Sequence, residues 1–270
     1  MKNKRLIVIL SVFLVITILI VLCSTVFTLH TVDIVWLTSN NNLSDVNKTQ
    51  ILEAGEFKKG ESVFLINKKK YINNLEKQLP YVKVVGMEIK FPNKLTVKLS
   101  EREELYVLKV VASENSSVYN YVYLDYDLKV LKISTTPVTP NGVNPAVLEI
   151  QNYNLTDANF TLGEKVNLPI SNSLISVGDI LASTGYGGSK AKALIESMVL
   201  KYDFKSEINI KTTYGLTIKL EDALIKTNQK MLKALSVYEE YHNNHPEINS
   251  GVITVYESNG SIVASAPAFN

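Results

Sequence analysis

Leu79–Arg102 reads LPYVKVVGMEIKFPNKLTVKLSER. Val85, Met87, Ile89 and Phe91 alternate with Gly86, Glu88 and Lys90. Beyond Pro92-Asn93, Leu95, Val97 and Leu99 alternate with Thr96 and Lys98. A period of two on both sides of a turn predicts an antiparallel hairpin with one buried face. Proline presets φ for the second turn position, and asparagine accommodates the next. Upstream, Asn67 is placed to cap a helix that runs to about Leu79, with Tyr71, Ile72, Leu75 and Leu79 on one stripe and Pro80 as its stop. Before that, Ser44 is expected to cap a helix through about Ala54, with Asp45 favourable in its first turn and Gly55 ending it. Val32–Leu37 is a β-rich run, and Ser39-Asn40-Asn41-Asn42 a turn. The order is strand, helix, helix, strand, strand. A three-stranded sheet with two helices on one face would bury every one of these stripes.

Upstream of this unit, Leu6–Leu29 carries no charged residue. As a helix it is about 36 Å long, enough to cross a bilayer core of about 30 Å with some tilt. Lys2, Lys4 and Arg5 precede it, so the N-terminus is expected in the cytoplasm and the bulk of the chain outside. A cleaved signal peptide would have a shorter apolar region and a small-residue cleavage site. The first alanine is Ala54, and Leu22 before Cys23 does not suit a lipoprotein signal. Cys23 is the single cysteine, so no disulfide can form within the chain and the exterior must be stable through packing alone. Lys and Arg number 28 and Asp and Glu 26. With three of the cations in the N-terminal tail, the exterior is nearly neutral, which gives no basis for nucleic-acid binding.

After Arg102 the chain reads as a second, β-rich unit. Leu105–Val111, Val118–Leu124, Leu128–Ile133 and Val147–Ile150 are strand-like, with turns at 114–117 and 125–127 and a proline-rich loop at 134–145. Leu174–Leu181 and Ala191–Tyr202 read as helices, broken by Gly185-Tyr186-Gly187-Gly188. Ile208–Thr212 and Leu216–Leu220 flank a Tyr214-Gly215 turn. Asp222–His242 reads as a long amphipathic helix with Leu224, Met231, Leu235, Tyr238 and Tyr241 on its apolar stripe. Val252–Glu257 and Ser261–Ala264 form a last hairpin around Asn259-Gly260, a strong turn dipeptide.

Taken in order, these residues resemble the FtsQ/DivIB family of bacterial cell-division proteins. The resemblance rests on the basic tail and single anchor, the strand–helix–helix–strand–strand module, and Glu101-Arg102 closing its hairpin. It continues with Tyr123-Leu124-Asp125, Gly215 through Leu220, Lys230-Met231-Leu232, and Val255-Tyr256-Glu257-Ser258 with Gly260 and Ala266-Pro267. It implies an α+β fold: cytoplasmic tail 1–5, transmembrane helix 6–29, POTRA-like βααββ domain 30–102, and a β-rich α+β domain 103–265. That domain ends in an exposed-edge hairpin, followed by a short tail at 266–270. It further implies a non-catalytic scaffold of the division septum, single-pass in the cell membrane, with no cofactor, metal or small-molecule substrate. The implied partners are bitopic division proteins like FtsB/DivIC and FtsL, captured when a partner strand adds to the final sheet edge. The contacts it implies are Tyr256, with Ser258 and Gly260 in the adjacent turn, and the flanking Val255 and Val263.

Ser189-Lys190-Ala191-Lys192 has S-x-x-K spacing, which lets a lysine activate a serine one helical turn away. An anchored cell-wall enzyme of that kind also needs S-x-N and K-T-G. There is no S-x-N downstream, and Lys211-Thr212-Thr213 is the nearest approach to K-T-G. Gly185 through Lys190 lacks phosphate-loop spacing and reads as a flexible break. His242 and His245 read as surface residues at a helix end, not as metal ligands. Lys68-Lys69-Lys70 reads as a solvated helix start, with acidic lipid headgroups as the alternative contact. A transport-associated POTRA protein would carry repeated modules or a barrel, and the chain has no such repeat.

Overall fold

The computed structural model describes residues 2–38, 46–112, 118–136, 145–153, 155–156 and 160–267. These form two compact units, Met1–Arg102 and Glu103–Asn270. The first begins with helix α1 (Lys2–Val26), in which Val8–Val26 is long and apolar enough to cross a membrane. Its few hydroxyls are satisfied within the helix: Thr17 Oγ1 donates to the Phe13 carbonyl and Thr25 Oγ1 to that of Val21, both at 2.9 Å. The helix stops three residues short of the expected Leu29. There the backbone turns away to pair with the 60–63 loop, and the Leu29 side chain is buried in the core of the unit that follows.

That unit is built from β1 (Thr31–Thr38), α2 (Lys48–Gly55), α3 (Lys68–Gln78), β2 (Val82–Lys90) and β3 (Lys94–Glu101). The sheet order is β1-β3-β2, with β1 parallel and β2 antiparallel to β3. Three cross-strand rows fill the inner face: Val32–Leu95–Ile89, Ile34–Val97–Met87 and Trp36–Leu99–Val84. Tyr71 and Leu75 of α3 and Ile51 of α2 pack on them. Burying a side chain such as Leu75 contributes about 1.5–3 kcal/mol. The opposite face carries the ion pairs Asp33–Lys94 and Glu88–Lys98 between neighbouring strands, beside exposed Val35 and Leu37.

The local signals are met with small shifts. Asn67 caps α3, accepting from the Lys70 amide at 3.1 Å. Helix α2 opens at Asn47, not Ser44, in a reciprocal capping box with Gln50. Ser44, Asp45 and the turns at 39–42 and 114–117 lie outside the described residues. Gly55 stays inside α2 and Glu56 takes the left-handed conformation at φ 53°. The Phe57 ring occupies the space a Cβ on residue 55 would need, so glycine is there for close packing and not for its φ. In β2 a register shift between Val84 and Gly86 turns Val85 out to solvent, against its expected place on the buried face. Phe91 is also exposed, at the start of a turn whose Phe91–Pro92 peptide is cis.

The second unit is a nine-stranded sheet ordered β12-β11-β10-β9-β8-β7-β4-β5-β6. Its strands are β4 (Tyr106–Val111), β5 (Tyr119–Leu124), β6 (Val130–Ser134), β7 (Ala146–Gln151), β8 (Ile195–Lys201), β9 (Glu207–Thr212), β10 (Leu216–Leu220), β11 (Gly251–Ser258) and β12 (Ser261–Ser265). Helices α4 (Ser171–Ser183) and α6 (Thr227–Asn244) pack on each other, and α6 lies over β10, β11 and β12. A short α5 (Ser189–Leu194) leads into β8. One transverse row, Val122–Leu108–Leu148–Met198–Ile210–Ile218–Ile253, crosses seven strands and is wholly buried.

Two helix expectations change here. The expected helix Ala191–Tyr202 is helical only to Leu194; Ile195–Lys201 is a central strand between β7 and β9. Its short apolar run suits either state, and pairing on both edges selects the strand. Helix α6 starts at Thr227, not Asp222. The preceding turn holds Asp222 and Lys226 at positive φ, which leaves Leu224 exposed.

The first unit is closed by a buried ion pair. Arg102 Nη2 meets Glu76 Oε2 at 2.8 Å, Glu76 Oε1 accepts the Val84 amide at 2.8 Å, and the Arg102 amide donates to Tyr81 at 2.7 Å. Arg102→Ala removes the cation from the buried Glu76 carboxylate and should cost about 3–5 kcal/mol. A lowered denaturation midpoint of the full chain in detergent reads this out, and the apolar double replacement Glu76→Leu, Arg102→Met should recover most of the loss.

Candidate partner interface

The chain ends in a hairpin whose turn chemistry and register are both explicit. Ser258 pairs with Ser261 across a two-residue loop, Asn259 at φ 50° and Gly260 at φ 78°. Two consecutive left-handed residues make a type I′ turn, which asparagine and glycine tolerate best. In such a hairpin the pair flanking the loop is hydrogen-bonded, and bonded pairs alternate with unbonded ones. Ser261, Val263 and Ser265 therefore bond to β11, while Ile262 and Ala264 point their N–H and C=O groups at the outer edge. No described strand pairs with that edge.

The side chains divide by face. Val255 lies in the row Ile150–Leu200–Ile208–Leu220–Val255–Ala264 and is 0% exposed. This corrects the contact expected of Val255: its side chain is a core residue, and its main chain is paired on both sides by β10 and β12. Tyr256 and Val263 are directly opposed on the other face and half-exposed. Ser258 lies on the same face, and Gly260 is exposed at the turn. The structure thus brings Tyr256, Ser258, Gly260 and Val263 together on one accessible hairpin. Sequence reasoning named Val263 but not its neighbours Ile262 and Ala264, whose edge-facing amides follow only from the pairing register.

The hairpin is held in place from behind. Lys230, on α6, is 1% exposed, and its ammonium donates to the carbonyls of Glu221 at 2.7 Å and Asp222 at 2.9 Å. Burial pushes its pKa down, opposed by Asp222 and Glu257. Lys226 meets Glu257 of β11 at 2.6 Å. The Lys230 of the sequence motif thus ties α6 to the turn between β10 and α6.

The residues read as possible chemistry fall elsewhere. Ser189 is exposed at the first position of the six-residue α5. The glycine break ahead of it is packed: the Gly188 amide donates to Tyr126 Oη at 2.6 Å, and the Glu103 carboxylate lies against Gly188, where a phosphate would be repelled. His242 is half-buried, stacked on Tyr238 and tilted against Tyr214, correcting its expected surface placement. With Tyr186, Lys190, Ala193 and Leu194 these rings line a cavity of about 220 Å3. No group of three or more His, Cys, Asp or Glu among the described residues is placed to hold a metal.

Comparison with known proteins matches residues 39–102 to the family described as "POTRA domain, FtsQ-type". Two proteins named "Cell division protein DivIB", from Clostridium botulinum strains Hall and Loch Maree, are 36% identical over 113 residues, or 40% of this chain and 41% of theirs. A third of that name, from Clostridium acetobutylicum, is 30% identical over 88 residues, 33% of this chain and 32% of its own. These matches support the FtsQ/DivIB family. The chain spans about two fifths of the length of the DivIB proteins it matches first. The FtsQ-type match contains α2, α3 and the hairpin β2–β3, and ends on Arg102 of the buried ion pair. Strand β1 precedes the matched residues, yet it completes the sheet by parallel pairing with β3.

The aromatic cavity makes a pH prediction. Burial, reinforced for Tyr186 by the Glu239 carboxylate, pushes both Tyr186 and Tyr238 up to about 12. A phenol raised in the fold contributes stability that is fully present below its unfolded pKa of about 10. That contribution is lost as pH rises through about 12. In a phenolate absorbance titration these two groups should ionise after the exposed tyrosines. Tyr238→Phe should flatten the alkaline loss of stability.

Proposed function

We propose that this protein is a non-catalytic scaffold of bacterial cell division. It is held in the cell membrane by α1, with its N-terminus cytoplasmic and the chain from residue 30 onward outside, and it captures bitopic partners of the FtsB/DivIC and FtsL kind at the septum. The observation that carries the reading is the open outer edge of β12, at the end of a nine-stranded sheet and backed by α6. An extended partner segment adding there would pair with Ile262 and Ala264. Tyr256, Ser258 and Val263 would meet its side chains on the exposed face. Support for a division role comes from the FtsQ-type match and the DivIB relatives; support for a membrane anchor comes from the length and composition of α1.

Strand addition separates main-chain from side-chain contributions. Ala264→Pro removes an edge-facing amide without touching the hairpin's own bonds, so it should abolish capture of an FtsB/DivIC-like partner while the fold remains. Val263→Pro removes a bond to Tyr256 and should also destabilise the hairpin. Tyr256→Ala should weaken capture by about tenfold or more, as for a central aromatic anchor. Binding titrations with a partner exterior domain, alongside thermal unfolding, measure all three. Full binding by Ala264→Pro would overturn the strand-addition mode.

A further inference from the structure

Three aromatic side chains gather where α1 ends, Phe64 and Phe91 exposed and Phe27 partly exposed. Phe27 follows the last helical residue; its ring lies 5.4 Å from that of Phe64 and 6.3 Å from that of Phe91, and Phe64 and Phe91 are 5.7 Å apart. Phe64 is 61%, Phe91 63% and the adjacent Leu65 75% exposed, so the cluster is in contact with itself and is not buried by the domain. It recruits three separate segments, and backbone bonds hold each of them to the helix exit. The Val63 amide donates to Phe27 at 2.9 Å, that of Leu29 to Glu61 at 2.8 Å, and that of Gly60 to Leu29 at 2.9 Å. The His30 amide donates to Asn93, in the turn that carries Phe91, at 2.9 Å. Exposed Lys58 and Lys59 precede Gly60, and exposed Lys90 precedes Phe91. The nearby acids are engaged: Glu61 with the Tyr71 hydroxyl, and Glu88 and Asp33 with lysines.

We propose that this aromatic cap, Phe27, Phe64, Leu65 and Phe91, seats in the lipid interface of the membrane that α1 spans. Lys58, Lys59 and Lys90 would then lie at the level of the lipid phosphates. The FtsQ-type domain is thereby fixed on the membrane surface as well as tethered to it. The inference rests on the reading of α1 as a membrane span. The occupant follows from continuity: Val8–Val26 is about 28 Å long as a helix, close to the hydrocarbon thickness, so Phe27 emerges at the headgroup boundary. Phe64 and Phe91 are pinned beside it. Aromatic rings concentrate at that depth, where an apolar body is shielded without leaving a polar group unsatisfied. Lysine ammonium groups are attracted to the anionic surface just above.

The test uses the full chain in nanodiscs of phosphatidylcholine and phosphatidylglycerol, with lipids brominated near the headgroup end of the acyl chain. On a Trp36→Phe background, single tryptophans report depth from Phe64→Trp, Phe91→Trp and, within the span, Leu14→Trp. Residues 64 and 91 are exposed, so the larger ring is accommodated at both. Phe64→Trp and Phe91→Trp should each lose about half their emission relative to unbrominated discs, as expected for rings in the interface. If Leu14→Trp is quenched in deeper-brominated discs while neither cap position is quenched in any disc, the docking is overturned and the span stands. If Leu14→Trp is not quenched in either, the membrane reading itself fails and the docking with it.

Discussion

The parallel pairing of β11 with β10 is the constraint on which the rest of the second unit depends. Two neighbouring parallel strands cannot be joined by a tight turn, so the chain must cross the sheet before returning. Helix α6 is that crossing, and its apolar stripe of Met231, Ala234, Leu235, Tyr238 and Tyr241 covers the face it traverses. Once β11 is placed beside β10, the type I′ turn folds β12 back outside it, and among the described strands the sheet ends there. The open edge is thus a consequence of the crossover. It is kept accessible because α6 packs on the face of β12 and not along its rim.

Polar groups are buried where the fold needs to specify geometry. The Glu76–Arg102 pair binds α3 to the end of β3, and the Glu76 carboxylate also satisfies an amide of the bulged β2. Lys230 does similar work in the second unit, where it ties the carbonyls after β10 to α6. A buried charge without such partners would cost more than its packing returns. Each of these side chains therefore makes hydrogen bonds that fix where an element begins or ends.

Much of this was legible in the chain. The alternation in Leu79–Arg102, the Asn67 cap and the Asn259-Gly260 turn are local signals, and all three appear in the structure where the residues put them. The misreadings have physical causes. Val85 is displaced by a bulge that alternation does not encode. Ile195–Lys201 is apolar on a scale too short to distinguish a buried strand from a helix, and only β7 and β9 on either side decide it. Val255 and Tyr256 are neighbours in the chain, but a strand sends adjacent side chains to opposite faces, so Val255 is in the core and Tyr256 is accessible. The aromatic cap is not legible in the chain, because Phe27, Phe64 and Phe91 share no periodicity and meet only through backbone bonds between separate loops.

By itself the sequence determined the apolar helix, the strand–helix–helix–strand–strand order of the first unit, and the turn of the last hairpin. Each of these depends on residues close enough in the chain to act through caps, turns and hydrophobic period. The tertiary structure alone decided that one sheet runs through nine strands, that Val255 faces the core while Ile262 and Ala264 face an open edge, and that three distant phenylalanines crowd the helix exit. Those facts depend on strand register and on which segments hydrogen-bond across long separations. Side-chain type scarcely biases such pairings until the core rows come together.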